Sequence, residues 1–282
     1  MEIKKIKIVY GSSLTGQAQK DQKMLFMIGP GSSGKSTVCN LSEHALECYA
    51  YQMDGNIFDQ NNKSSSKSIN TFDQRPVIRI VLIPEINKNI TESSIFKTLI
   101  EGEGNTTKLY QEGSHKIEHQ ARIFASMNEL PKLKSDDTGI SRRYTAYQHK
   151  SKFCLDDEYH LVDESKGIHK ADKDLKDTFK NDIQLKLAWF KILADYGKKW
   201  LDNKMQIKYP ESFKELKAEI QDSNDVGKDF IDGYLIKTDN PDDIISKDRM
   251  LKIFKQIYPT KFLTVQQLIG ILTRQDLQNK LK

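Results

Sequence analysis

The chain has 282 residues, 37% of them hydrophobic and 29% charged, with 44 basic against 39 acidic side chains. That length suits one large domain, or a large one with a small companion, and the composition is that of a globular protein rather than a disordered or fibrous one. No apolar run approaches the roughly 18 residues of a membrane span, and the charged opening MEIKKIKIVY does not read as a secretory leader. The three cysteines, Cys39, Cys48 and Cys154, are widely separated, which argues against a zinc site or a disulfide framework and fits a reducing compartment. A net charge of +5 permits nucleic-acid binding without dictating it. Only seven basic residues are arginine, so adjacent arginines stand out.

KMLFMIG, ending at Gly29, reads as a short buried strand, and KSTVCNLSEHALECY, from Lys35, reads as a helix. Between them Gly29, Pro30, Gly31, Ser32, Ser33, Gly34, Lys35, Ser36 and Thr37 satisfy G-x-x-x-x-G-K-[ST]. In such a loop, backbone N–H groups wrap a phosphate. The lysine reaches the β- and γ-phosphates, and the following hydroxyl, here Ser36, ligates Mg²⁺. Strand, loop and helix together place the anion at a helix N-terminus. Residues 59–70, DQNNKSSSKSIN, have no periodicity and read as a loop.

The apolar run at 77–83 reads as a buried parallel strand ending in Pro84-Glu85. A nucleotide loop needs an acid on a neighbouring strand, and Glu85 is the candidate. Arg122–Met127 reads as a further strand with Asn128 at its end, where an amide can contact the γ-phosphate or the attacking water. Arg142 and Arg143 follow. An arginine that reaches a neighbour's γ-phosphate stabilises the charge spread in phosphoryl transfer. The charged stretch at 163–182 is expected to be a surface lid or connector. IQLKLAWFKILADYGKKWL reads as a helix, with Ile183, Leu187, Phe190, Leu193 and Trp200 taken as its packing stripe.

The break at 203–211, with Pro210, divides the chain into 1–204 and 205–282. In the second part Met250, Leu251, Phe254 and Ile257 share a helix side, and Thr264 with Gln267 forms a capping box. Two such helices suit a winged-helix or helix-turn-helix fold, or a plain packing module.

The loop, strand-end Glu, strand-end Asn-x-x-Pro and Arg-Arg, in this order, resemble a viral superfamily 3 helicase. The closest likeness is to the helicase part of the primase-helicases of poxvirus-like large DNA viruses and related phages. Lys35 to Glu85 is 50 residues and Glu85 to Asn128 is 43. GSSLTG before the loop and FKTLIEGEGNTTKLY after Glu85 add to the likeness, which is good over residues 8–153 and loose beyond. It departs where Pro84 replaces a first acid and where Glu101-Gly102-Glu103 matches only in part.

The resemblance implies an α/β P-loop NTPase, AAA+-like, with a three-layer core around a central parallel sheet and a small C-terminal helical region. It implies ATP and Mg²⁺ as cofactors, hydrolysis at the subunit interfaces of a homo-hexamer, and movement along single-stranded DNA in viral genome replication in an infected cell. Lys35 and Ser36 would hold phosphate and metal. Glu85 would be the catalytic or metal-associated acid, Asn128 the polar sensor, and Arg143 or Arg142 the finger acting on the next subunit. A hairpin turning at 111–114 would grip DNA through Lys108, His115 and Lys116. A helical collar ahead of the loop domain is not expected within this sequence, which suits a fragment or a split gene, and a primase module is expected on a separate chain. Two rivals remain: a catalytically weak DNA-binding or scaffold piece of a primase-helicase, and a P-loop ATPase that acts on protein or RNA.

Overall fold

The computed structural model describes residues 2–58, 72, 75, 77–86, 89–90, 93–106, 115–133, 138–236, 238, 245–259, 265, 268–269 and 272. In chain order the helices are α1 (Glu2–Ser12), α2 (Lys35–Leu46), α3 (Ser93–Glu101), α4 (Thr138–Ser141), α5 (Leu175–Asn181), α6 (Ile183–Asp202), α7 (Glu211–Ser223), α8 (Val226–Tyr234) and α9 (Lys247–Ile257). The strands are β1 (Met24–Ile28), β2 (Ala50–Gln52), β3 (Ile80–Ile83), β4 (Asn89–Ile90), β5 (Glu103–Thr106), β6 (His115–Glu118), β7 (Arg122–Met127), β8 (Lys132–Leu133), β9 (Tyr144–Gln148), β10 (Lys152–Cys154) and β11 (Ile168–Lys170).

Five strands form one parallel sheet in the order β2-β3-β7-β1-β9. Its middle strands are buried at every position, as continuous apolar runs in an α/β sheet require. Side chains alternate between the two faces. Met24, Phe26, Ile28, Val81 and Ile83 pack with Phe96, Leu99 and Ile100 of α3. Leu25, Met27, Leu82 and Phe124 pack with Val9 and Tyr10 of α1, Cys39 of α2 and Leu193 of α6. Helix, sheet and helix make the three layers, and burying each of these large apolar side chains contributes about 1.5–3 kcal/mol. This is the P-loop NTPase arrangement expected from the motifs.

Tyr10 fixes α1 to the sheet. Its ring stacks on Phe124 at 4.2 Å, meets Trp189 edge-on at 5.9 Å, and its hydroxyl donates to Met27 Sδ at 3.1 Å. Buried Arg122, at the start of β7, donates to Ser12 Oγ at 3.1 Å, Asp21 Oδ1 at 2.5 Å and the Lys23 carbonyl at 3.1 Å. These bonds tie the chain ahead of β1 to the sheet. The α7 helix contributes Phe213 to one face's core and Leu216 and Ile220 to the other, so it lies along the β9 edge and covers it.

Two expectations need correction. In α6 the buried residues are Leu193, Gly197 and Trp200, whereas Ile183, Leu187 and Phe190 are exposed. The helix meets α1 along a stripe that includes a glycine, which a count of apolar residues cannot see. The strand expected at 77–83 is shorter, and Val77 is exposed. The 59–70 loop and the Thr264–Gln267 pair lie outside the described residues.

Two compact units divide after Ile220, beyond the break at 203–211. The second unit has its own core of Phe230, Ile231, Met250, Phe254, Leu268 and Leu272. Phe230 meets Phe254 edge-on at 5.4 Å.

Candidate active site

All five sheet strands are parallel, so the segments that leave their C-terminal ends share one edge of the sheet. In open α/β sheets that edge is where ligands bind. The Gly29–Lys35 loop leaves β1 there. Gly29 N–H donates to the Met127 carbonyl at 3.2 Å, which brings the end of β7 against the start of the loop. Asn128 follows at once and is exposed. Ile86 N–H donates to the Ser126 carbonyl at 3.0 Å, which holds the Pro84-Glu85 end of β3 beside β7. Glu85 is exposed, about 10 Å (two strand spacings) from the β1 line.

The loop turns through Ser32, at φ +58°, and Gly34, at φ +86°, both left-handed conformations, and α2 starts at Lys35. No side chain caps α2, so its first N–H groups face the loop. Lys35 is buried. Its Nζ donates to the Gly29 carbonyl at 2.6 Å, the Pro30 carbonyl at 2.9 Å and Ser33 Oγ at 3.1 Å. Burial pushes the Lys35 ammonium below the ordinary lysine range, and the Glu85 carboxylate opposes that shift. Ser36 is exposed and Thr37 half-buried on the first turn of α2.

Three residues at this edge were not anticipated from the sequence. His149 follows β9. Its N–H donates to the Ile28 carbonyl at 2.7 Å, and Nδ1 lies 3.3 Å from the Ser33 carbonyl. A carbonyl can only accept, so the Nδ1 proton faces it and Nε2 is left as the acceptor. Burial first, and then the Lys35 charge, pull the imidazole down to about 4 against the opposing Ser33 bond. Phe153 N–H donates to the Ser32 carbonyl at 2.8 Å. Gly55 packs so tightly on the Glu85 backbone that a Cβ there would lie 1.5 Å from the Glu85 carbonyl oxygen.

The arginines lie elsewhere. Tyr144 pairs with Met24, so Arg142 and Arg143 stand at the N-terminal edge of the sheet, about 16 Å (one five-residue strand) from the loop of the same chain. Arg143 is buried, donating to Glu101 and, at 2.7 Å, to the Gly139 carbonyl. Arg142 is exposed and donates to Gln22 Oε1 at 3.1 Å. β5 and β6 pair antiparallel, with Thr106 opposite His115. His115 and Lys116 open β6, while Lys108 and residues 111–114 lie outside the described residues. Among the described residues no cluster of three or more His, Cys, Asp or Glu is placed to hold a metal ion. A divalent ion at this edge would rest on Ser36, Glu85 and phosphate oxygens, the few-ligand mode usual for Mg²⁺.

No family model matches the chain. Over 257 residues it is 24% identical to "Putative helicase L207/L206" of Acanthamoeba polyphaga mimivirus, an alignment spanning 89% of this chain and 26% of that protein. Over 267 residues it is 22% identical to "Putative helicase V13" of Sputnik virophage, spanning 91% of this chain and 33% of that protein. The chain is similar to viral helicases. It spans about a quarter and a third of the length of these two relatives. A solved structure described as the apo A form of the NrS-1 C-terminal region shares the fold, with a TM-score of 0.52 at 13% identity over 96% of this chain and 66% of that one. Both relatives agree with the resemblance carried by the motifs. Among the described residues no helix is long and apolar enough to cross a membrane.

Proposed function

We propose that the chain is an ATP-driven helicase or translocase on single-stranded DNA in viral genome replication, hydrolysing ATP at the subunit interfaces of a hexameric ring. The observation that carries this reading is the convergence of the Lys35 loop, Glu85 and Asn128 on one edge of the sheet, linked by the Gly29–Met127 and Ile86–Ser126 hydrogen bonds. The N–H groups of residues 31–37 cradle the β- and γ-phosphates of ATP. Lys35 would exchange its loop carbonyl partners for phosphate oxygens, and Ser36 with Glu85 would hold Mg²⁺. Glu85 orients or deprotonates the attacking water, and Asn128 contacts the γ-phosphate. As in other phosphoryl-transfer enzymes, the protein's contribution is position and charge neutralisation.

The placement of Arg142 and Arg143 supports action in trans, since they stand at the far edge from their own loop. Of the two candidates Arg142 has the exposure a finger needs, while Arg143, the first of them, is buried against Glu101. The β5–β6 hairpin is the proposed DNA grip, with Lys108, His115 and Lys116 meeting backbone phosphates without reading sequence. A primase module on a separate chain is the proposed partner, and the infected cell the setting.

The test is strand displacement on a partly single-stranded DNA duplex with ATP and Mg²⁺, for the wild type and Lys35→Ala. Displacement by the wild type alone is expected. DNA binding without displacement or ATP turnover would replace the motor with a scaffold, and stimulation by RNA but not DNA would change the track.

A further inference from the structure

We infer that Phe153, backed by His169, is the platform on which the base of the bound nucleotide stacks. The inference rests on reading the Lys35 loop as a nucleotide site. A Cβ added at Gly34 would lie 3.1 Å from Phe153 Cε2, so the ring lies directly against the residue that precedes Lys35. The backbone of Phe153 is held from two sides. Its N–H donates to the Ser32 carbonyl at 2.8 Å, and β10 pairs in parallel with β11, placing Phe153 opposite His169. The Phe153 and His169 rings are 5.5 Å apart and inclined at 31°.

Despite this anchoring Phe153 is 37% exposed, next to Cys154, which is fully buried on the same strand. A rigid, half-open aromatic ring beside a phosphate cradle fits one ligand chemistry. The phosphate chain of a nucleotide seated on the α2 N-terminus must continue into a sugar and a flat apolar base, and an aromatic face accepts any base. Because backbone bonds and His169 already fix the ring, stacking there costs little ordering.

The experiment compares binding of Mg²⁺-ATP with binding of Mg²⁺-tripolyphosphate, which has the phosphates but no base. Calorimetry is run on the full chain as wild type, Phe153→Ala and Phe153→Trp. Removing a stacked aromatic ring weakens base binding by roughly five- to a hundredfold. Phe153→Ala is expected to lose that factor for ATP and to bind tripolyphosphate as the wild type does. Phe153→Trp is expected to keep ATP affinity, with fluorescence quenched by ATP and unchanged by tripolyphosphate. Equal weakening of both ligands in Phe153→Ala would overturn the inference, because the ring would then only support the loop. So would an unquenched tryptophan, which also decides the matter should Phe153→Ala fail to fold. A wild type that binds tripolyphosphate normally but ATP no tighter would overturn the platform alone. A wild type that binds neither would overturn the nucleotide site and the platform with it.

Discussion

Gly55 offers a way to move Glu85 without altering it. The turn after β2 is set by the Met53 N–H bond to the Leu82 carbonyl at 2.9 Å, and it brings Gly55 onto the carbonyl of Glu85. In Gly55→Ala the new methyl carbon would start 1.5 Å from that oxygen, and real Cβ contacts essentially never fall below 3.0 Å. A displacement of about 1.5 Å is the least that relieves the overlap, and both partners are backbone, so no side chain can rotate away. A misplacement of about 1 Å near a reacting centre can cost roughly a hundredfold in rate. Overpacking of this kind costs about 1–3 kcal/mol, worth about 2–4 °C of melting temperature per kcal/mol in a domain of this size.

The expected result is therefore a lower melting temperature and ATP turnover reduced about a hundredfold. Affinity for ATP measured without Mg²⁺ should stay within about threefold, because the Lys35 loop hangs from β1, with β7 between it and β3. Steady-state turnover and calorimetric binding read the two quantities separately. Unchanged turnover, or turnover and affinity falling in the same proportion, would refute the placement of Glu85 as the acid that acts on water.

His149 makes stability depend on pH. Its pKa is about 4 in the fold against an ordinary 6.5, so the unfolded chain binds the proton more tightly. Its contribution is complete above pH 6.5 and is lost as pH falls toward 4, by roughly 3 kcal/mol at most. Urea unfolding of the wild type between pH 7.5 and 5 should show this loss, and His149→Gln should flatten it. Asp21→Ala leaves the buried Arg122 guanidinium without its carboxylate and should cost about 3–5 kcal/mol in urea unfolding at neutral pH. Arg143→Ala should lower the melting temperature by stripping Glu101 and Gly139 of a partner, while Arg142→Ala should leave it unchanged and lower turnover. Mixing Arg142→Ala with Lys35→Ala should restore part of the turnover if the arginine acts on a neighbouring copy.

The phosphate loop and its two flanking elements were legible because they are local. A buried apolar run, a glycine-rich turn and a helix follow one another within 23 residues, 24–46, and each part has its own pattern. β7 was legible at both ends for the same reason. The partners of the loop were not. His149, Phe153 and Gly55 reach the site through long-range backbone bonds and close contacts, and nothing in YQHKSKF or MDGNIF marks them. The misplaced stripe of α6 has a related cause. Ile183, Leu187 and Phe190 have helical spacing, but α1 meets the side that carries Trp189, Leu193, Gly197 and Trp200. Helical period alone cannot tell which of two apolar stripes is covered.

The most direct measurement is ATP turnover against protein concentration, with and without single-stranded DNA, for the wild type and Lys35→Ala. Turnover is expected to rise more steeply than in proportion to protein, to increase with DNA and to vanish in Lys35→Ala. Turnover strictly proportional to protein, or untouched by Lys35→Ala, would contradict a site completed between copies of this chain around the Lys35 loop.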